Sequence, residues 1–184
     1  RFPNMAEMAY IQVSRLCNQK CTFCSNPDNG KVLSWKEAVT LVDGFAAKKH
    51  DGLILTGGEP TVFKELAALI KYSLSKGLTP RLITNGQKTA DRKYLKSLYD
   101  AGLRLMHTSV HSSSAATQAK LSRNPKSLAN IINRGLIPSQ IAAGVHIDGK
   151  ARYTGLHSLR HFYASWCINR PAEGGLGLPP KVVQ

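Results

Sequence analysis

The sequence predicts an α/β fold, a partial (β/α) barrel of about four parallel strands followed by a mainly helical C-terminal fragment. Three observations predict it. Short apolar runs at AYIQVSRL (9–16), GLILTGG (52–58), PRLITNG (80–86) and RLMHTSVHS (104–112) each end in polar or glycine-rich turns. Helical patterns fill the intervals between them. From about residue 124 the alternation stops, and RNPKSLANIINRGLIPSQIAAGV leads into a second apolar helix pattern, LHSLRHFYASWCI (156–168). Strand–helix alternation implies crossover connections, which make the strands parallel and cover the sheet with helices.

Each element has its own signal. The first strand run leads into the cysteine-rich stretch LCNQKCTFCS (16–25). The first helix opens with a capping box, Ser34 to Glu37, and places Ala38, Leu41, Val42 and Phe45 on one stripe. The second strand runs straight into Gly57-Gly58-Glu59-Pro60-Thr61, and the second helix carries Leu66, Leu69, Ile70 and Ser73 at the same spacing. The third strand ends in Thr84-Asn85-Gly86. The third helix shows Tyr94, Leu95, Leu98 and Tyr99 before the stop signal Gly102. The fourth strand ends at Ser109 and His111. In a parallel sheet the C-terminal strand ends gather ligands, and glycines let a ligand approach the backbone. The four polar groups at four successive strand ends are therefore expected to form one site.

Composition sets the outer limits. The chain has 184 residues, 42% of them hydrophobic, enough for one ordinary domain or two small ones. We expect a first domain over residues 1–124 and a second over 125–184, with the boundary falling within 125–150. The formal charge of +14, spread along the whole chain, favours anionic partners such as nucleic acid or phosphorylated metabolites. No apolar run approaches membrane-spanning length, so no membrane partner is expected. RFPNMAEMAY lacks the layout of a secretory signal and begins without methionine, so the expectation is an internal piece of a longer, cytoplasmic protein. In a reducing compartment, clustered cysteines are metal or redox ligands more often than disulfides.

Cys17, Cys21 and Cys24 fall within eight residues, and the chain holds only one other cysteine, Cys167. Cubane 4Fe–4S clusters are normally held by four thiolates, so three would leave one iron with an open coordination position. Cys-x3-Cys-x2-Cys can wrap three corners of a cube in one short loop. A zinc site of Cys3His type would need a fourth ligand from elsewhere, such as His107 or His111. A catalytic thiol and a chance grouping are weaker alternatives. Other readings stay open beside these: Glu59 as a helix cap, Thr84-Asn85-Gly86 as a plain turn, and His111 as a core histidine.

Taken together, CNQKCTFC, GGEP and TNG resemble the motifs of radical S-adenosylmethionine (radical SAM) enzymes, with Phe23 as the aromatic before the last cysteine. The resemblance covers about residues 8–124. It implies that Cys17, Cys21 and Cys24 bind a 4Fe–4S cluster whose open iron chelates the amino and carboxylate groups of S-adenosylmethionine (SAM). It further implies that Gly57, Gly58, Glu59 and Pro60 hold the methionyl amino group and that the Phe23 backbone contacts adenine. Thr84, Asn85 and Ser109 would approach the ribose and sulfonium. The implied activity is electron transfer from a reduced flavodoxin- or ferredoxin-like donor, then cleavage of SAM to a deoxyadenosyl radical that abstracts hydrogen from an unknown substrate. GGEP, TNG and the form of strand four are similar to the branch that modifies peptides and builds cofactors. The family barrel has six strands; only four are visible here, and the glycine-rich SAM contact after strand five is missing, so truncation is expected to impair activity.

The stretch YTGLHSLRHFYASWCINR resembles the HxxR box of tyrosine recombinases, the phage-integrase family. There the pair matching His157 and Arg160 contacts the scissile phosphate, and the i, i+3 spacing puts both on one helix face. That implies a DNA contact through the C-terminal fragment and an alternative role in DNA recombination or integration. No nucleophilic tyrosine follows, and Tyr163 stands too close to Arg160 to serve. The plain alternative is a basic amphipathic helix packing Leu159, Phe162, Tyr163 and Trp166, with His161 and Cys167 as packing residues. A zinc-stapled chain without dedicated activity is the third expectation.

Overall fold

The computed structural model describes residues 8–142, 144 and 146–151. In chain order it contains β1 (Met8–Ser14), α1 (Trp35–Ala47), β2 (Gly52–Gly57), a 3-10 turn (Pro60–Val62), α2 (Leu66–Ser75), β3 (Thr79–Thr84), α3 (Arg92–Asp100) and β4 (Leu105–Thr108). Then follow α4 (Ala115–Ser122), α5 (Ser127–Ala129), a π-helical stretch (Asn130–Leu136), α6 (Ile137–Ala142), and the short antiparallel pair β5 (His146–Ile147) and β6 (Lys150–Ala151). The chain divides into two compact units, Arg1–Ile131 and Ile132–Gln184. No helix among the described residues is long and apolar enough to cross a membrane.

The main sheet has the order β1-β2-β3-β4, and every neighbouring pair is parallel. Spatial order follows chain order without a reversal. Each crossover therefore steps the same way, which is the winding of a barrel wall and not of a doubly wound sheet. All four C-terminal strand ends lie on one edge as a direct consequence.

The local signals act where the sequence puts them. Both halves of the capping box form: the Glu37 amide donates to Ser34 Oγ at 3.3 Å, and the Ser34 amide donates to Glu37 Oε2 at 2.7 Å. Ala38 and Val42 on α1, and Leu66, Leu69, Ile70 and Ser73 on α2, are buried as their spacing requires. All but Ser73 pack with Ile11 and Val13 of β1, Leu53 and Leu55 of β2, Leu82 of β3 and Leu98 of α3 in one core. Truncating any of these fully buried leucines to alanine removes about 2–5 kcal/mol. β2 is buried from Gly52 to Leu55 without alternation, as a strand covered on both faces should be. β4 pairs only with β3 and leaves Leu105 41% exposed, so it forms an open edge of the described sheet.

Two elements depart from the pattern. On α3 only Leu98 is buried; Tyr99 is exposed, with the Arg104 guanidinium 3.9 Å above its ring. The sequence pattern also gave no sign of α4, because the residues it buries are the polar Gln118 and Ser122 and no apolar stripe marks it. Ser114 caps it, accepting from the Thr117 amide at 3.4 Å.

Candidate functional site

β2 leaves the sheet at Gly57, whose φ of +147° is a value side-chain-bearing residues rarely adopt. A Cβ at Gly57 would run into the Ser14 carbonyl oxygen, and one at Gly58 would fall 2.6 Å from the Leu16 carbonyl oxygen. The Gly58 amide donates to Ser14 O at 2.6 Å and the Glu59 amide to Leu16 O at 2.8 Å. The paired glycines thus let this turn lie directly against the backbone that enters the cysteine loop. The same two glycines also line the cavity described below.

Glu59 is 1% exposed, and both of its oxygens are engaged. Oε1 accepts from the Thr61 amide (3.1 Å), Thr61 Oγ1 (2.6 Å) and Thr84 Oγ1 (2.6 Å), while Oε2 accepts from the Asn85 amide (2.8 Å). It caps the 3-10 turn and also ties the end of β2 to the end of β3. Charge-assisted bonds of this kind are about twice as strong as neutral ones, and the acceptor is fully out of water. Behind it, the Thr61 carbonyl accepts from Lys88 Nζ at 2.9 Å and from the Tyr94 hydroxyl at 3.3 Å. Burial first, and the Glu59 charge second, push the Tyr94 phenol up to about 12.

The cysteine loop is held differently. Its base is closed by the Arg15 amide on Lys31 O (2.6 Å) and the Leu33 amide on Val13 O (3.0 Å). Above the base, side-chain amides and one backbone bond anchor it. Asn85 Nδ2 donates to Asn18 Oδ1 at 2.7 Å, Gln19 Nε2 donates to Ser127 Oγ at 3.2 Å, and the Thr22 amide donates to Leu121 O at 2.9 Å. Cys17 Sγ accepts from the Gln19 amide at 3.4 Å and stands 3.8 Å from Asn85 Nδ2; Cys21 Sγ donates to Gln19 Oε1 at 3.7 Å. All three cysteines are free thiols, and Cys24 is exposed. Burial above all pushes the Cys17 and Cys21 thiols up, and for Cys17 the Glu59 carboxylate and the neighbouring sulfurs add to it. Without a cation these two thiols hold their protons more firmly, and a bound metal would supply the charge that removes those protons.

The end of β4 completes the rim. The Ser109 amide donates to Thr84 O at 2.9 Å. The amides of His111 and Ser112 both donate to Gln118 Oε1 at 3.0 Å, and the His111 ring stands edge-on to Phe23 with centroids 4.6 Å apart.

These parts enclose a cavity of about 540 Å³, within the range of small-molecule sites. Cys17, Cys21 and Cys24 line it, and so do Phe23, Gly57, Gly58, Glu59, Thr84, Asn85, Ser109 and His111. Of the residues expected to hold the cluster or SAM, Pro60 alone is not among its lining; it is buried at the start of the 3-10 turn, and Thr61 and Gly86 of the same strand ends also stay outside the lining. His157 and Arg160 lie outside the described residues. Among the described residues no three His, Cys, Asp or Glu side chains converge on a single ion. A zinc thiolate site, with bonds of about 2.3 Å, would require that convergence, so the zinc reading with His107 or His111 has no preformed geometry.

Sequence reasoning missed the residues that hold the rim in place. Gln19 and Gln118 are buried amides meeting at Ser127, itself 1% exposed. The only available signal was the run of two amides, Asn18 and Gln19, between the first two cysteines.

Comparison with known proteins identifies the family. The molybdenum cofactor biosynthesis protein moc-5 of Caenorhabditis elegans is 34% identical over 129 residues, 65% of this chain and 21% of its own length. GTP 3',8-cyclase of Aeromonas hydrophila is 32% identical over 114 residues, 55% of this chain and 33% of its own. The chain thus spans about a fifth to two fifths of the curated relatives it matches. The crystal structure of BtrN in complex with AdoMet and 2-DOIA superposes with a TM-score of 0.52 at 20% identity, over 60% of this chain and 48% of BtrN, which shows a shared fold. The family model described as the Radical SAM superfamily matches residues 11–141. A match of that extent, over the stretch that builds both the sheet and its thiol-lined rim, makes this chain a member of the radical SAM superfamily.

Proposed function

We propose that this chain is the cofactor-binding part of a radical SAM enzyme, with Cys17, Cys21 and Cys24 holding a 4Fe–4S cluster and the adjoining cavity receiving SAM. The observation that carries the reading is the single cavity lined by all three thiols and by the polar ends of β2, β3 and β4. The superfamily's cofactors are a 4Fe–4S cluster and SAM. When bound and reduced, that pair supplies a deoxyadenosyl radical able to abstract hydrogen from a substrate.

The chain's own residues bind, orient and shield. Gly57 and Gly58 line the cavity, where their backbone would meet the methionyl ammonium. Phe23 and His111 form an edge-to-face wall suited to adenine. Thr84 and Asn85 act mainly as positioning residues, since the threonine hydroxyl serves Glu59 and the Gly86 amide and the asparagine amide serves Asn18. The Ser109 hydroxyl has no hydrogen-bond partner among the described residues, which leaves it able to meet a ligand.

The names of the relatives favour cofactor building as the process served, as does the GGEP–TNG signature. The net charge of +14 suits an acidic, flavodoxin- or ferredoxin-like electron donor, and three free thiols suit a reducing cytoplasm. Anaerobic reconstitution with iron and sulfide tests the reading. A broad visible charge-transfer absorbance lost in Cys21→Ala is expected, followed by deoxyadenosine release under dithionite. Absence of the absorbance, or its persistence in Cys21→Ala, would count against it. A second reading, DNA contact through His157 and Arg160, rests on their spacing alone; it requires salt-sensitive duplex binding that weakens in Arg160→Ala.

A further inference from the structure

We propose that Gln19 is a positioning residue for the cluster ligand Cys21, turning its amide on cluster binding so that it donates a hydrogen bond to the Cys21 sulfur. The inference rests on the cluster-binding reading above and concerns a side chain that reading leaves without a role.

Gln19 is buried, with one partner at each end of its amide. Nε2 donates to Ser127 Oγ at 3.2 Å, and Oε1 accepts from the Cys21 thiol at 3.7 Å. The two ends differ in what they tolerate. Ser127 is a hydroxyl and can donate as well as accept. Its Oγ already takes a bond from Gln118 Nε2 at 3.0 Å, and an acceptor site and its own proton remain for Gln19. Cys21 has no such latitude once it binds iron. Its sulfur then bonds the metal, its proton leaves to solvent, and nothing remains on it to donate. In the orientation present without metal, Gln19 Oε1 would then face a proton-free, electron-rich sulfur across a half-buried contact.

A half-turn of the amide removes the conflict without moving any backbone. Oε1 then accepts from the Ser127 hydroxyl, and Nε2 donates to the Cys21 sulfur. Gln118 keeps its bond to Ser127, and its Oε1 keeps the His111 and Ser112 amides at 3.0 Å each. Both orientations leave Ser127 satisfied, so the metal-bound sulfur decides between them. Hydrogen bonds to cluster sulfurs withdraw electron density from the iron and make reduction easier. The relay from the end of β4 through Gln118, Ser127 and Gln19 would thereby set part of the cluster's reduction potential.

The test is an EPR-monitored redox titration of the reconstituted full chain, comparing wild type with Gln19→Leu and Ser127→Ala and measuring iron content in parallel. Gln19→Leu removes the donor and is expected to lower the potential, so that the reduced-to-oxidised ratio at a fixed poise falls about tenfold, ~59 mV for a one-electron couple. Ser127→Ala leaves the turned amide without a donor for Oε1 and should shift the potential the same way by a smaller amount. Potentials unchanged in both loaded variants would overturn the proposal while leaving the cluster reading intact. If Gln19→Leu takes up no iron, Ser127→Ala alone decides by the same criterion. A wild-type chain that binds no cluster removes both the reading and this inference.

Discussion

The two sides of the cavity are built by opposite means. The turn from Gly57 to Thr61 is closed by the protein itself: its glycines lie against the Ser14–Leu16 backbone, and a buried carboxylate takes four hydrogen bonds. The cysteine loop has no helix or strand between Cys17 and Cys24, leaves Cys24 exposed, and hangs on a few amides. The first side is finished before any cofactor arrives. The second presents free thiols, and on the proposed reading a metal cluster would complete it, as metal completes ligand loops generally. Rigidity is placed where a ligand is to be oriented, and adaptability where one is to be clasped.

Substitutions on each side should therefore fail differently. Cys24→Ala, on the loop, should abolish cluster retention entirely while shifting apo-protein unfolding by no more than about 0.5 kcal/mol. Iron analysis and denaturant melts read the two effects separately, and a large stability loss would break the contrast. Glu59→Ala, on the turn, should do the reverse. It strands buried donors on Thr61, Thr84 and Asn85, and should destabilise the apo protein by about 3–5 kcal/mol in urea unfolding. Gly57→Ala forces a Cβ toward the Ser14 carbonyl and should cost about 1–3 kcal/mol, with cluster uptake falling only as far as folding does.

The smallest effect sharpens the contrast most finely. Because the folded-state value of Tyr94 is raised to about 12, its contribution to stability is fully present below the unfolded value near pH 10 and lost as pH rises through 12. Ultraviolet titration of the phenol checks this. Glu59→Gln, which removes the nearby charge, should bring the transition down, and an unmoved titration would mean the turn is not electrostatically tied to its Tyr94 support.

Much of this architecture was legible in the chain. Apolar runs ending in turns located β1 to β4, and the Ser34–Glu37 box placed the start of α1, because both signals are local. The cysteines, the paired glycines and the third and fourth strand ends were assigned to one rim because a parallel sheet of uniform winding leaves no other place for them. What could not be read were contacts between distant polar groups. Glu59 showed its capping role, but its bonds to Thr84 and Asn85 depend on the register between β2 and β3. Gln118 sits on a helix without an apolar stripe, so neither its burial nor its meeting with Gln19 at Ser127 has a periodic signature. The glycine turn's close approach was visible in sequence, but not that the Ser14–Leu16 backbone is what lies against it.

The most direct test is the EPR spectrum of the anaerobically reconstituted, reduced protein recorded with and without SAM. On the proposed reading an iron left open by three thiolates takes SAM's amino and carboxylate groups as ligands, so the cluster signal should change on adding SAM and stay unchanged with S-free adenosine. A signal indifferent to SAM in fully loaded protein would contradict the account.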